Sequence, residues 1–230
     1  MTDHFKRIYA QHAAEYDALI RREDYQSNIL PAFQGIMPLA DKTVVEVGAG
    51  TGRLTRLLAP HVGRLLAFDG APMMLATAAD SLRPLASNWH VGVANNQYLP
   101  LADHFADIVI AGWSIGHKTG WYPDNWRAHV RAAVGSMLRV VKPGGAVIIL
   151  ETLGTGSETP QPPTEALAQY YQLLEDEFGF TRQWVRTDFK FASVEEGATL
   201  TRFFFGDGLA DRVIAEQRMV LPECTGIWSR

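Results

Sequence analysis

The sequence predicts an α/β fold, a doubly wound and mostly parallel sheet with helices on both faces. Three observations predict it. Apolar strand-like runs and amphipathic helical stripes alternate five times between residues 41 and 150. The strand-like runs are apolar almost throughout, as in parallel strands buried on both faces. The first of them ends in closely spaced glycines that open a helix, which is where open α/β sheets bind ligands.

The elements follow in order. Phe5, Ile8, Tyr9, His12, Tyr16, Leu19 and Ile20 recur at helical spacing and predict one helix over 5–20. A second helix over about 25–34 contains Pro31, which argues for a break or a helix start there. The first strand covers 44–47, and Leu54, Leu57 and Leu58 give the helical stripe after it. A second strand at 65–68 ends at Asp69, and Pro72 can open the next helix because proline is tolerated in a first turn. Residues 89–93 and 108–111 read as the third and fourth strands. Trp126, Val130, Ala133, Val134, Met137 and Leu138 mark a long helix, which Lys142-Pro143-Gly144-Gly145 stops before a fifth strand at 146–150. Past residue 150 the texture changes. Residues 154–163 read as a loop, 164–178 as a helix, 184–191 as a strand, 194–217 as mostly helix and 219–228 as a last strand. We expect one domain over 1–230: a helical cap (1–40), a cofactor-binding core (41–150), a lid insertion (151–179) and completion of the sheet (180–230).

Composition limits the function classes. Hydrophobic residues make up 47% and charged residues 20% of the chain, near globular averages, so a large core can form without staples. The net charge of −4 argues against a dedicated nucleic-acid binder, which needs a basic stripe. The lone Cys224 permits no internal disulfide, and no apolar run approaches a bilayer span. These features predict a soluble, cytoplasmic monomer or homodimer with no membrane partner. No H-E-x-x-H or Cys/His spacing stands among the histidines, so no metal is expected.

The strongest signal is Glu46-Val47-Gly48-Ala49-Gly50-Thr51-Gly52. Glycine is needed where the backbone takes positive φ or lets a ligand close to the main chain. Asp69, 17 residues beyond Gly52, stands where a carboxylate can accept ribose hydroxyls, or else cap the next helix. A dinucleotide fingerprint runs G-x-G-x-x-G to seat a pyrophosphate; here the glycines run G-x-G-x-G with Glu46 two residues ahead. An acid under the loop suits the sulfonium and amino cations of S-adenosylmethionine (SAM) and would repel a pyrophosphate.

This segment resembles motif I of the class I SAM-dependent methyltransferases. Further landmarks fall in that family's order: Asp69 resembles its ribose acid, and 94–100 resemble the adenine-holding segment. Residues 105–109 resemble the entry to its fourth strand, and 141–145 the turn before its fifth. The resemblance covers about 41–151 and implies a Rossmann-like, seven-stranded sheet with SAM as cofactor and S-adenosylhomocysteine (SAH) as product. It implies cofactor contacts from Glu46, Gly48, Ala49, Gly50, Thr51, Gly52, Asp69 and Trp113. Where the family often has an aspartate after the third strand, this chain has Asn95, or Asn96 if the register shifts by one; an amide oxygen can accept the same adenine hydrogen bond. The same asparagines could instead form only a turn.

Methyl transfer is an in-line displacement in which positioning does much of the work, and a base is needed only if the acceptor must lose a proton. His117, just past the fourth strand, is the candidate general base, and Glu151 the candidate to orient the acceptor. Tyr9, Tyr16, Ser114, Trp121 and Tyr122 are expected to line the acceptor pocket; the histidine and the tryptophans could equally be structural. The place after the fourth strand reads Gly112-Trp113-Ser114-Ile115 and lacks the Asn/Asp-Pro-Pro-aromatic motif of base N-methyltransferases. This argues against base N-methylation, and the resemblance implies a small-molecule acceptor. Two other readings stay open, an NAD-type oxidoreductase and a non-catalytic SAM-binding or partner-binding protein.

Overall fold

The computed structural model describes residues 2–230. Three helices lead, α1 (Thr2–Gln11), α2 (Ala13–Ile20) and α3 (Ile29–Ile36). Strands and helices then alternate: β1 (Thr43–Val47), α4 (Arg53–Leu58), β2 (Arg64–Asp69), α5 (Pro72–Leu82), β3 (Trp89–Val93) and β4 (Ala106–Gly112). After them come α6 (His117–Trp121), α7 (Trp126–Val140), β5 (Val141–Thr155), α8 (Glu165–Asp176) and β6 (Thr181–Arg186). The chain ends with β7 (Phe189–Lys190), α9 (Val194–Phe205), α10 (Asp207–Ala215), β8 (Val220–Leu221) and β9 (Glu223–Ser229).

Seven strands form one sheet in the order β3-β2-β1-β4-β5-β9-β6. β1 to β5 pair in parallel; β9 runs antiparallel between β5 and β6. The chain builds outward from β1 through β2 to β3, then returns to β4. This reversal makes β1 and β4 the switch point, where the carboxyl ends of the strands diverge and leave a crevice.

Successive strand residues face opposite sides, and the two cores show it. Val45 and Val47 pack with α7 (Val130, Val134, Met137) and α8 (Tyr170, Leu174). Val44 packs on the other face with α3 (Phe33) and α4 (Leu54, Leu58). Glu46 therefore points to the α4 side, beneath the glycine loop.

Several boundaries differ from expectation. The helix over 5–20 is two helices, broken at His12 (φ −129°, ψ 41°). α3 begins at Ile29 with Pro31 in its first turn, so Tyr25 stands ahead of it. Residues 151–179 divide. The first five continue β5, and α8 packs as a flanking helix of the sheet, with Tyr170, Tyr171, Leu173 and Leu174 buried. The second part of the cover comes from 189–221, which sequence reading assigned to completing the sheet: β7 and β8 pair with each other and carry α9 and α10. The expected strand over 184–191 and helix over 194–217 are each interrupted, the helix at Gly206 (φ +91°). Among the described residues no helix is long and apolar enough to cross a membrane.

Candidate active site

β1 delivers the chain at Val47 to a loop in which Gly48, Gly50 and Gly52 all take left-handed φ, +75°, +55° and +83°. The Gly48 and Ala49 N–H groups donate to the Phe68 carbonyl at 2.8 and 3.0 Å. The Gly50 N–H donates to Asp69 Oδ2, and the Ala71 N–H to Asp69 Oδ1, each at 2.8 Å. Asp69 thus ties the loop to the end of β2, and each carboxylate oxygen keeps acceptor capacity for a ligand. The cap of α5 is Ala71, so Asp69 does not cap that helix. A Cβ on Gly48 would overlap the Ser114 side chain, whereas a Cβ on Gly50 would find nothing closer than Met74 Cε at 3.5 Å.

The loop borders a crevice of about 710 Å³, also lined by Asp69, Asn95, Asn96, Trp113, Ser114 and Tyr122. Asn95 Oδ1 accepts from the Gln97 N–H at 2.9 Å, closing a turn, so the half-buried Asn96 is the better amide for a ligand here. Ser114 Oγ donates to the Val47 carbonyl at 3.0 Å and fastens the end of β4 to β1. Tyr122 is 39% exposed and stacks on His129 at 3.7 Å. Ser114 and Tyr122, expected to line an acceptor pocket, border this first crevice.

A second cavity of about 750 Å³ adjoins the first. Tyr9, Tyr16, Arg53, Trp113, His117 and Trp121 line both. The cap closes over this junction through Phe5 and Tyr16, whose rings lie 5.1 and 5.5 Å from Phe204 of α9. Arg22 also pairs with Glu196 of α9 at 2.5 Å. His117 opens α6, stacks on Trp121 at 5.1 Å and shares a 2.8 Å hydrogen bond between Nε2 and the Tyr9 hydroxyl. Burial pushes its pKa down to about 4, so the ring is neutral near pH 7. Glu151 Oε1 accepts from the Gly116 N–H at 2.8 Å and from the Tyr170 hydroxyl at 3.3 Å. It holds the turn that presents His117 while also lining the second cavity.

Residues 45–149 match a family described as a methyltransferase domain. Over 113 residues the chain is 31% identical to the ubiquinone/menaquinone biosynthesis C-methyltransferase UbiE of Stutzerimonas stutzeri, a match covering 47% of this chain and 41% of that one. The chain thus matches less than half the length of that relative. Its fold is that of the YcgJ protein from Bacillus subtilis (TM-score 0.62, 14% identity, 89% of this chain and 97% of that one). It is also that of a SAM-dependent methyltransferase from Aquifex aeolicus (TM-score 0.57, 15% identity, 88% of each chain). The family match over 45–149 and the shared fold support a class I, SAM-dependent methyltransferase domain.

The residues present in the methyltransferase fit SAM. Thr51 Oγ1, at the crevice wall, is buried without a hydrogen-bond partner, Asp69 has spare acceptor capacity, and Gly50 leaves open the space a side chain would fill. Glu46 is buried, accepts from Thr55 Oγ1 at 2.5 Å, and burial pushes its pKa up to about 8. Glu151 is pushed up to about 7 by the same cause. Both carboxyls therefore hold protons more readily folded than unfolded. The stability they contribute is present at acidic pH and is lost as pH rises through about 7 and 8. The ligand-free chain is expected to melt lower at pH 8.5 than at pH 5. Glu46→Gln should flatten the profile of melting temperature against pH, and an equally steep profile in that variant would contradict the assignment.

Sequence reading missed Arg53, Glu23 and Glu223. Arg53 lies over the Trp113 ring at 3.6 Å and pairs with Glu23 at 2.6 Å. A cation at the first position of a helix is poorly placed against the helix dipole, and that misfit was the available signal.

Proposed function

We propose that this chain transfers a methyl group from SAM to a small-molecule acceptor held in the second cavity. The observation that carries the reading is the junction: the crevice beside the glycine loop opens onto a second, largely apolar cavity at Tyr9, Trp113, His117 and Trp121. When bound, SAM supplies an electrophilic methyl group on a sulfonium that is a ready leaving group.

The chain's own residues bind and orient. Asp69 accepts hydroxyl hydrogen bonds from the ribose, Asn96 faces the adenine, and Thr51 offers its unpartnered hydroxyl. Glu46 stands beneath the loop as a carboxyl that ionises more readily once a cation lies beside it. Trp113, held in a left-handed conformation (φ 48°) beneath Arg53, forms the wall between the cavities. The cap and α9 exclude water from that wall and keep the reactants aligned.

His117 is the base where the acceptor must lose a proton. Its ring is neutral, and Nε2 lies against the Tyr9 hydroxyl, which can pass a proton from the acceptor side. Glu151 is a positioning residue, since it fixes the turn ahead of His117. The buried Cys224 and the absence of a disulfide suit a reducing cytoplasm. A monomer or homodimer suffices, because the described residues build both cavities from one chain.

The test is SAH release from SAM across a panel of small hydroxyl, amine and activated-carbon acceptors. His117→Ala is expected to slow turnover on an acidic acceptor by about 10²–10⁴-fold, with SAH affinity unchanged. Wild-type turnover in that variant would remove His117 as the base. Binding of SAH without turnover on any acceptor would favour the non-catalytic binding protein.

A further inference from the structure

Beside its junction with the first crevice, the second cavity holds a polar group of residues to which the proposed methyl transfer assigns no role. Glu23, in the turn after α2, and Glu223, at the start of β9, both line it together with Arg53 from the glycine loop's helix. Arg53 Nη1 pairs with Glu23 Oε2 at 2.6 Å, and Glu23 Oε1 accepts from Thr187 Oγ1 at 3.2 Å. Glu223 Oε1 accepts from Thr152 Oγ1 at 2.6 Å. Two atoms of this group are left over. Arg53 Nη2 and Glu223 Oε2 are both buried, and neither makes a hydrogen bond of normal geometry among the described residues, although the Thr155 side chain lies close enough to Glu223 to lower its pKa. Glu223 is only 2% exposed. Leaving such atoms unpaired is costly, more so when charged, and each calls for an explanation, a bound ligand, ion or water among them.

Much of the remaining wall is apolar, though His117, Glu151 and Arg212 also line it. Leu19, Phe189, Phe204, Phe205 and Leu209 line it, from α2, β7, α9 and α10. The charge at the polar end is already committed. Arg53 is matched by Glu23, and Glu223 adds a second carboxyl. An anionic head would meet the Glu23 carboxylate, and a cationic head would meet the guanidinium.

We propose that Arg53 Nη2 and Glu223 Oε2 form a head-group subsite for an acceptor with an apolar body. Its end is an uncharged group that both accepts and donates hydrogen bonds, as a carboxamide does. The carbonyl oxygen accepts from Arg53 Nη2, and the N–H donates to Glu223 Oε2. Glu223 is pushed up to about 8 by burial and by the nearby Glu23, so it serves this group in either protonation state, as acceptor or as donor to the carbonyl. The subsite rests on the methyltransferase reading for its role as an acceptor site.

The test is calorimetric titration of the full chain near pH 7 with 2-naphthamide, 2-naphthoate and 2-ethylnaphthalene. They share one apolar body and carry a neutral donor–acceptor head, an anionic head and no polar head. The amide is expected to bind at least about tenfold tighter than either of the others. Glu223→Leu and Arg53→Met should each bring the three ligands to within about threefold of one another, and Glu223→Gln should keep the amide preference. Equal binding of the three probes to the wild-type chain, or no binding of the amide, would overturn the subsite. SAH titrated onto the same proteins separates the two readings. SAH binding without amide preference removes the subsite and leaves the methyltransferase. Amide preference without SAH binding keeps a polar pocket but removes its role as an acceptor site.

Discussion

Replacing Asp69 with alanine is expected to weaken SAH binding by about 10- to 150-fold, or about 1.5–3 kcal/mol for hydrogen bonds to a charged group. Two losses combine. The ribose loses its carboxylate acceptor, and the Gly50 and Ala71 N–H groups lose the partner that holds the loop in shape. Asp69→Asn separates them. An asparagine can still accept from one N–H, so the loop is expected to persist while ribose affinity falls. Isothermal titration of SAH onto both variants measures this, with melting temperature as the check on folding. Unchanged affinity in Asp69→Ala would reduce Asp69 to a structural tie between β2 and the loop.

Gly50→Val is expected to abolish measurable SAH binding in a protein that still folds. The backbone at Gly50 has φ +55°, which costs an L-residue about 1–2 kcal/mol, more when β-branched. The Cβ itself meets only ordinary contacts, with Met74 Cε at 3.5 Å and Tyr16 Cε1 at 3.9 Å. The two γ-carbons then extend into the crevice where the cofactor passes. Gly48 differs, because any Cβ there would overlap the Ser114 side chain and push β4 away from β1. Loss of binding with a lowered but cooperative melt supports the cradle. Full SAH affinity in folded Gly50→Val would mean that the ligand lies elsewhere.

How much was legible in the sequence follows from how far apart the partners lie. The glycine loop, Asp69 and the alternation over 41–150 are local patterns, and the structure places them at the switch point that such patterns imply. His117 and Glu151 were legible as residues at strand ends. Their roles were not, because these depend on Tyr9 and Tyr170, which reach them from α1 and α8. Asn95 stood in the expected place, yet its carbonyl closes a turn with Gln97, a choice between two local hydrogen bonds that spacing does not decide. The second half was harder to read for a physical reason. A single apolar run over 184–191 does not show that its two ends join different sheets. Nor does a helical stripe over 164–178 distinguish a lid from a flanking helix. The Arg53, Glu23 and Glu223 group assembles from α4, the turn after α2, and β9, and no sequence period links them.

The central claim is a SAM site beside the glycine loop. Isothermal titration of the purified chain with SAH, with NAD as the control, tests it most directly. The structure predicts micromolar or tighter binding of SAH and none of NAD. Binding of NAD with none of SAH would contradict it.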